Sequence, residues 1–493
     1  MTVTAQPTST DPDTKARSRW EPIAVVAGVV VVIVVTATTR ARTLTEEDSR
    51  NLARALHHYS VALLQPHAPG YPLVVLAAHA FTWVGSALNA YIVVAVLATV
   101  GTILLTYLLG VEMIGRRAGV VAALVVCATP LALYYGEIVS VYPTESLMVP
   151  TVALLAHRVA RRADRFSSLF LFPVLAIGGG FRPTMLVLML PACVVGVVFG
   201  RPRTRDLVAG LLAAIAVVAA WGIPMVVKSG GWQAYSRASQ ALYHRQFSLT
   251  SIFYGASYHQ VAFNAANTLG ATAMVALPAA AVVVLAFGPQ KSAWGLRHPA
   301  MWIMAASLIP YWVTFFAIQL GKPGYVLATL PIFAVLAGGL VAASDRAVFL
   351  AVAVTVITVT GYLVLPQWPL PWRLDAFFPT AHAVHVQDQE ALGLERLGAS
   401  CPRNSCTIVS LPTSRRFWYH DPASLYHYAP NSRVLLSDAV SADRASLGEV
   451  LWVGTTIPRA VSALATPEGS YGTWAVYQSR GAVTEEIVRQ AFG

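Results

Sequence analysis

Acidic residues are scarce across the apolar part of this chain, and their positions suggest chemistry. Residues 22–366 contain only nine of them. Five of these form two groups: Glu46, Glu47 and Asp48, followed later by Glu137 and Glu145. A carboxylate held at a surface can act as a general base that removes a proton from a hydroxyl group. We therefore take Glu47, Asp48, Glu137 and Glu145 as candidate catalytic residues.

The first acidic group lies at the expected start of a short helix, which permits a purely structural interpretation. Thr45 could cap this helix, and with Asp48 it resembles a capping box. Acids in a first helical turn also complement the helix dipole. The alternative is a carboxylate that serves as a general base. The spacing is compatible with both interpretations.

A proline-rich stretch follows, with the sequence Gln-Pro-His-Ala-Pro-Gly-Tyr-Pro over residues 65–72. Its prolines favour an extended, turn-rich path, and its glycine permits close backbone approach. His67 and Tyr71 are candidate substrate-binding residues in this stretch. The structural alternative is a rigid linker that leads into the next apolar segment.

Cations that could bind an anionic substrate lie in three places. Arg182 precedes Pro183 at the end of an apolar segment, and Lys322 and Tyr325 belong to a Gly-Lys-Pro-Gly-Tyr motif. Arg237 and Arg245 lie in residues 228–262, which contain aromatic residues and no acid. These residues suit an anionic lipid head group. Alternatively, the segment is an interfacial helix and Arg182 merely extends its side chain toward water.

The elements that must position these residues are membrane spans. The chain of 493 residues has a mean hydropathy of +0.59 and is 12% charged, whereas soluble domains are about 25% charged. Stretches of about 20 apolar residues can cross a bilayer. We predict about eleven spans, the first at Ile23–Thr38. The others are expected at 88–111, 119–136, 143–157, 167–181, 184–200, 207–227, 263–288, 299–319, 324–343 and 347–365.

The basic residues predict the orientation of these spans in a plasma membrane. With the N-terminus in the cytoplasm, the short basic loops all fall on the cytoplasmic side, as the positive-inside rule requires. Residues 1–20 are then a disordered cytoplasmic tail, and residues 21–365 form the membrane domain. The loops 39–87 and 228–262 are external. No acid lies mid-span, which disfavours an ion-coupled transporter.

Residues 366–493 are predicted to form a small external α/β domain. Strands are expected at Thr407–Leu411, Arg433–Ser437, Val450–Gly454 and Thr473–Gln478, and helices near 385–397 and 483–491. Cys401 and Cys406 could form a disulfide if the domain is outside the cytoplasm. Cys127 and Cys193 lie in apolar segments and are expected to be inert.

The first helix, the acidic segment, the proline-rich stretch and the next span together resemble GT-C glycosyltransferases. The similarity is greatest to bacterial relatives of protein O-mannosyltransferases and aminoarabinose transferases. It extends over residues 22–345, with further matches in four short motifs. These are Tyr134-Tyr-Gly-Glu137 with Tyr142-Pro-Thr-Glu145, Gly180-Phe-Arg-Pro183, and Gly321-Lys-Pro-Gly-Tyr325.

The resemblance implies a fold, a donor and roles for individual residues. It implies an all-α GT-C membrane domain that uses a sugar carried on a polyprenyl phosphate, in an inverting transfer. Asp48 best matches the family's catalytic base, with Glu46 and Glu47 as near neighbours. Glu145 matches a second acid, for which Glu137 competes. Arg182 and Lys322 would then hold the departing phosphate.

Several partners stay open at this stage. The acceptor could be a glycan, a lipid or a protein, and the sugar is undetermined. No cofactor is assigned; a divalent metal between Asp48 and Glu145 is left open. Nucleic acid is not expected as a partner, since the net charge of +11 is explained by cytoplasmic loops. The competing functions are a lipid transporter or flippase and a non-catalytic scaffold.

Overall fold

A computed structural model shows two compact units. The first unit comprises residues 1–40 and 52–380, and the second comprises Ala41–Asn51 with residues 381–493. The structure describes residues 12–248, 250–286, 298–318, 322–370, 377–400, 407–410, 433–436, 447, 450–454, 459–471, 474–481, 483–484 and 487–488.

The first unit is helical throughout its described part. Its helices are α1 Pro12–Thr39, α2 Glu47–His57, α3 Pro72–His79, α4 Ala87–Met113, α5 Arg116–Cys127, α6 Pro130–Glu137, α7 Tyr142–Arg162, α8 Arg165–Phe181, α9 Met185–Leu188, α10 Leu190–Gly200, α11 Thr204–Lys228, α12 Trp232–Phe247, α13 Tyr258–Ala286, α14 Pro299–Ala317, α15 Leu330–Val341 and α16 Ala347–Val364. The first five residues of α2 belong to the second unit. Short 3-10 helices occupy Val61–Leu63, Thr82–Val84, Ile252–Tyr254 and Pro323–Thr329.

The prediction of a polytopic membrane protein is confirmed. Among the described helices, seven are long and apolar enough to cross a membrane, or eight if the bent pair α5–α6 counts as one span. Each of the eleven expected spans nevertheless coincides with a helix or a pair of helices. The helices α8 and α10 are shorter than a full span. Helix α7 carries Glu145 in its first turn and basic residues in its last, so it is less apolar than its neighbours.

Small residues let the central helices of this unit approach closely. Helix α4 packs against α5 and α7, and α8 packs along α11. Gly110 of α4 faces Gly119 of α5, and a Cβ at Gly110 would lie 2.7 Å from the Gly119 Cα. Small interfacial residues of this kind are typical of helix pairs in membranes.

The segment predicted to be disordered and the two predicted external loops contain helices. Helix α1 begins at Pro12, within the segment predicted to be disordered, and residues 1–11 lie outside the described residues. The predicted loops at 39–87 and 228–262 carry α2, α3 and α12. These helices are shorter or more polar than the spans.

The second unit contains the predicted α/β domain. Helix α17 Ala381–Ser400 precedes strands β1 Thr407–Ser410, β2 Arg433–Leu436 and β3 Val450–Gly454, and then come helix α18 Arg459–Leu464 and strands β4 Ala465–Tyr471 and β5 Trp474–Ser479. The sheet has the order β2-β1-β3-β5-β4. Strands β1, β2 and β3 pair in parallel, whereas β5 pairs antiparallel with β3 and β4. Trp452 is fully buried in the core of this unit.

Strand β4 was not predicted, and part of the predicted domain lies outside the described residues. Strand β4 contains Pro467 and Gly469, and its register shifts between them. Proline and glycine weaken the strand pattern and often mark a bulge. The Cys401–Cys406 prediction and most of the helix expected at 483–491 lie outside the described residues. Cys127 and Cys193 are buried and unpaired.

Candidate functional site

The acidic segment that follows the first span belongs to the second unit. Glu47 and Asp48 form the first turn of α2 and are half-buried, whereas Glu46 is 4% exposed. This difference favours Glu47 and Asp48 over Glu46 as groups that could reach a substrate. The Arg50 guanidinium reaches back along the segment, and its Nε–H donates to the Leu44 carbonyl at 3.1 Å.

The capping box proposed for this segment is not formed. The Thr45 hydroxyl is buried and makes no hydrogen bond with the described residues. The helix begins at Glu47, so Thr45 lies too far upstream to act through the usual N-cap geometry. A capping box therefore does not explain why acidic residues occur at this position. Glu47 and Asp48 still complement the helix dipole.

In the first unit, the second acid and the most suggestive cation come together. Glu145 lies in the first turn of α7 and Arg182 is the residue that ends α8. Their side chains form an ion pair, with 2% and 7% of the glutamate and arginine side chains exposed. Burial of a charged pair requires close mutual compensation, because each ion loses its hydration.

Aromatic rings surround the Arg182 guanidinium. Its Cζ lies 4.2 Å from the ring centroid of Tyr325 and 5.7 Å from that of Tyr142, within the range of cation–π attraction. The structure thus places Glu145 and Tyr325 around the charged centre of Arg182. We call this set the arginine cage, with Tyr142 included.

The turn that carries Lys322 and Tyr325 is held against the start of α7. The backbone N–H of Gly324 donates to the Tyr135 hydroxyl at 3.0 Å. A Cβ on Gly324 would lie 2.3 Å from the Tyr142 ring, so only glycine permits this approach. Lys322, half-buried, precedes the 3-10 helix of this turn. The sequence motifs around Tyr135, Tyr142 and Gly324 therefore meet in the folded unit.

Glu137, the competing second acid, lies in a closed environment. Its carboxylate is 0% exposed and hydrogen-bonds to the Thr39 hydroxyl at 2.5 Å and the Tyr362 hydroxyl at 2.7 Å. These contacts join the end of α1 to α6 and α16. The arrangement favours a role in fixing the helices over proton transfer to a substrate.

The proline-rich stretch is packed rather than loose. The Tyr71 hydroxyl lies 3.1 Å from His67 Nε2, and the Tyr59 hydroxyl donates to the Gly70 carbonyl at 2.7 Å. Gly70 has φ +117°, and a Cβ there would lie 2.7 Å from the Met225 sulfur. The peptide bonds before Pro66 and Pro69 are cis. Tyr71 thus belongs to a stretch that is held in place.

The two remaining predicted cations lie on α12. Arg237 is exposed, and its guanidinium contacts the Gln233 side chain at 3.5 Å. It is not brought into the arginine cage. Arg245 lies in the same helix, and its side chain is outside the described residues. The helix itself covers the proline-rich stretch, since the Tyr235 hydroxyl donates to the Pro69 carbonyl at 3.2 Å.

A cavity of about 590 Å³ lies beside this stretch in the first unit. Its walls come from α2, α3, α8 and α11 and are mostly apolar, including Leu73 and Trp221. Its lining also contains His57, His79 and Lys228. None of these three residues was among the site residues predicted from the sequence. Each of the three lies in the last turn of its helix. A basic residue at the predicted end of a helix complements the helix dipole, and this pattern could have drawn attention to them.

The described residues contain no group of three or more histidine, cysteine or acidic side chains that could hold a metal ion. Glu145 forms an ion pair with Arg182, and Glu137 accepts hydrogen bonds from two hydroxyl groups. The roles predicted for the individual site residues stay predictions.

Comparisons with known proteins agree with the family resemblance. Residues 56–206 match the family model of the protein O-mannosyl-transferase TMEM260 N-terminal domain. No curated protein matches the chain. The fold is similar to that of ArnT from Cupriavidus metallidurans. The structure of ArnT bound to undecaprenyl phosphate has a TM-score of 0.56 at 12% identity, covering 92% of this chain and 97% of that one.

The apo structure of the same ArnT gives a TM-score of 0.55 at 13% identity, covering 97% of this chain and 99% of that one. The resemblance to GT-C glycosyltransferases is confirmed by these comparisons. So is the fold prediction, an all-α polytopic membrane protein with a small C-terminal α/β domain.

Proposed function

We propose that this chain is a membrane glycosyltransferase. It transfers a sugar from a polyprenyl-phosphate donor to a hydroxyl group of an extracytoplasmic acceptor. The observation that carries the proposal is the arginine cage, in which a buried guanidinium is paired with one carboxylate and enclosed by tyrosines. The match to a protein O-mannosyltransferase family model supports the same class of reaction.

The arginine cage suits the phosphate of the donor. Arginine offers five N–H donors in a planar arrangement that matches phosphate oxygens. Glu145 already shows that the position accepts an anion. Donor phosphate exchanges with, or adds to, this carboxylate at Arg182, and Lys322 supplies a second cation. Positive groups at the departing phosphate stabilise the charge that develops in the transition state.

The apolar cavity suits the prenyl chain. Its volume of about 590 Å³ lies within the range of roughly 300–1,000 Å³ that is usual for ligand sites. Lys228 in its lining adds a positive charge where an anionic lipid would enter. ArnT, which has a similar fold, has been crystallised with undecaprenyl phosphate. His67 and Tyr71 lie in the proline-rich stretch, between the cavity-lining residues Tyr59 and Pro72 in the sequence.

The transfer is a single displacement with inversion. Asp48, or its neighbour Glu47, removes the proton from the acceptor hydroxyl. The resulting oxygen nucleophile attacks the anomeric carbon, and the bond from this carbon to the phosphate oxygen breaks. The electron pair leaves with the polyprenyl phosphate. Because that phosphate is a good leaving group, no general acid is required.

The reaction takes place on the outer side of the plasma membrane. Basic residues in the short loops predict a cytoplasmic N-terminus and an extracytoplasmic second unit. In this orientation the acidic segment, Glu145 and Lys322 all face the outer side.

The test is transfer by the purified, full-length chain in detergent. The chain is supplied with polyprenyl phosphates that carry labelled mannose, arabinose or aminoarabinose, and with extracts of envelope glycans, lipids and proteins as acceptors. We expect sugar release from one donor without any ion gradient, and loss of release in Asp48→Asn. A matched control is Asp345→Asn, because that acid lies in an exposed turn.

Two results would contradict the proposal. Gradient-dependent movement of the intact lipid, with no cleavage of the sugar, would identify a flippase instead. Wild-type rates in Asp48→Asn and in the corresponding Glu46→Gln and Glu47→Gln variants would overturn the base mechanism.

A further inference from the structure

A carboxylate from the C-terminal domain holds the chain just ahead of the acidic segment. Asp388 lies in α17 and is 6% exposed. It accepts hydrogen bonds from the Arg42 N–H at 2.8 Å, the Thr43 N–H at 3.0 Å and the Thr43 hydroxyl at 2.7 Å. The residues are separated by about 345 positions in sequence. All three partners belong to the second unit.

The hydrogen bonds to Asp388 fix the orientation of the peptide at residues 42–43 as well as its position. One Asp388 oxygen receives the Arg42 amide, and the other receives both groups of Thr43. Successive backbone N–H groups that converge on one anion form a compact binding arrangement. Hydrogen bonds to an ionised acceptor are also stronger than neutral ones. The peptide at 42–43 is therefore held against rotation as well as translation.

The chain is also restrained by a hydrogen bond closer to Glu47 and Asp48. Arg50 donates through Nε to the Leu44 carbonyl at 3.1 Å, so the peptide between Leu44 and Thr45 is held as well. Thr45 contributes no hydrogen bond through its hydroxyl with the described residues. Asp388 and Arg50 thus hold the chain that leads into α2, whereas the Thr45 hydroxyl does not contribute.

We propose that Asp388 is a positioning residue for the acidic segment, through which the C-terminal domain fixes the direction of the Glu47 and Asp48 carboxylates. The inference rests on the proposed function, in which one of these carboxylates is the base. Proton removal depends steeply on the position of the base. Donor binding, by contrast, depends on the arginine cage and the apolar cavity, which do not involve Asp388.

The experiment compares Asp388→Asn with the unmodified full-length chain in lipid nanodiscs. Asparagine keeps the shape of the side chain and one acceptor oxygen, but its NH2 group cannot accept from an amide. We expect kcat to fall roughly 10- to 100-fold, with the Kd for sugar-free polyprenyl phosphate unchanged within about twofold. Glu395→Gln, an exposed acid on the same helix, is the matched control and should keep normal kcat.

A milder series covers the case in which Asp388→Asn does not fold. Thr43→Val removes one of the three hydrogen bonds, and Thr43→Ser restores the hydroxyl. We expect kcat to fall in the valine variant and to recover in the serine variant, again with unchanged donor Kd. Amide hydrogen exchange at residues 42 and 43 should rise in the variants that lose activity.

The outcomes separate this inference from the proposed function. Normal kcat in Asp388→Asn, despite faster exchange at residues 42 and 43, would overturn the inference alone. Equal kcat in Thr43→Val and Thr43→Ser would also overturn it. A parallel loss of donor binding and kcat would show that Asp388 supports folding in general. No transfer by the unmodified chain would overturn the proposed function, and this inference with it.

Discussion

The Glu145–Arg182 pair permits a prediction in which folding stability and catalysis respond differently. Both side chains are almost fully buried, with 2% and 7% exposed. Removing one partner leaves a buried charge without compensation, at a cost of about 3–5 kcal/mol of unfolding free energy. Glu145→Gln and Arg182→Gln should therefore each lower the thermal midpoint. The double variant leaves no unpaired charge, so most of the loss should be recovered.

Activity should not recover in the double variant. If Arg182 holds the departing phosphate, its removal eliminates a transition-state contact worth roughly 100- to 1,000-fold in kcat. Replacing Glu145 as well cannot restore that contact. We therefore expect Arg182→Gln and the double variant to be similarly inactive, although the double variant is the more stable of the two.

The assay measures thermal unfolding and labelled-sugar transfer on the same purified samples, with rates normalised to folded protein. Lys322→Gln serves as a second comparison, because Lys322 is half-buried and directly precedes the 3-10 helix that contains Tyr325. Its loss should reduce transfer with little effect on stability. Recovery of transfer together with stability in the double variant would refute the reasoning, since Arg182 would then be a structural ion.

Three further predictions concern neighbouring parts of the first unit. Glu137→Gln should lower unfolding free energy by about 1–3 kcal/mol yet keep kcat within about tenfold; complete loss at normal stability would make Glu137 catalytic. Gly324→Ala should reduce transfer and destabilise the chain by about 1–3 kcal/mol, because the new methyl group meets Tyr142, and unchanged melting and kinetics would contradict this packing. Ala220→Trp should fill part of the cavity and raise KM for a long-chain donor but not for a two-isoprene analogue. An equal change in KM for both donors would exclude the cavity as the binding site of the prenyl chain.

Much of the fold followed from apolar length alone. Segments such as Ala87–Met113 and Tyr258–Ala286 are long, apolar and bounded by polar residues, so sequence predicts them well. Helix α7 was also expected as a span, although Glu145 and its basic last turn make it less apolar than the others. Its buried acid is accommodated because Arg182 approaches from another helix. Sequence could predict the helix but not that partner.

The sequence predicted which residues belong to the site, but much less of how they are arranged in space. Arg182, Tyr325 and Glu145 were all chosen from motifs, and the structure brings them together. Nothing local indicated that Glu137 would be enclosed by Thr39 and Tyr362. Such pairings depend on which helix ends meet, and therefore on the packing of the whole bundle.

The acidic segment shows most directly why local rules fail here. Its sequence satisfies the pattern of a capping box, and that pattern assigns the orientation of α2 to Thr45. In the structure the Thr45 hydroxyl is not used, and Asp388 holds the backbone two residues earlier. A local cap would have made the direction of Glu47 and Asp48 independent of the C-terminal domain. A carboxylate from that domain makes it dependent, so the α/β domain belongs to the machinery that orients the candidate base.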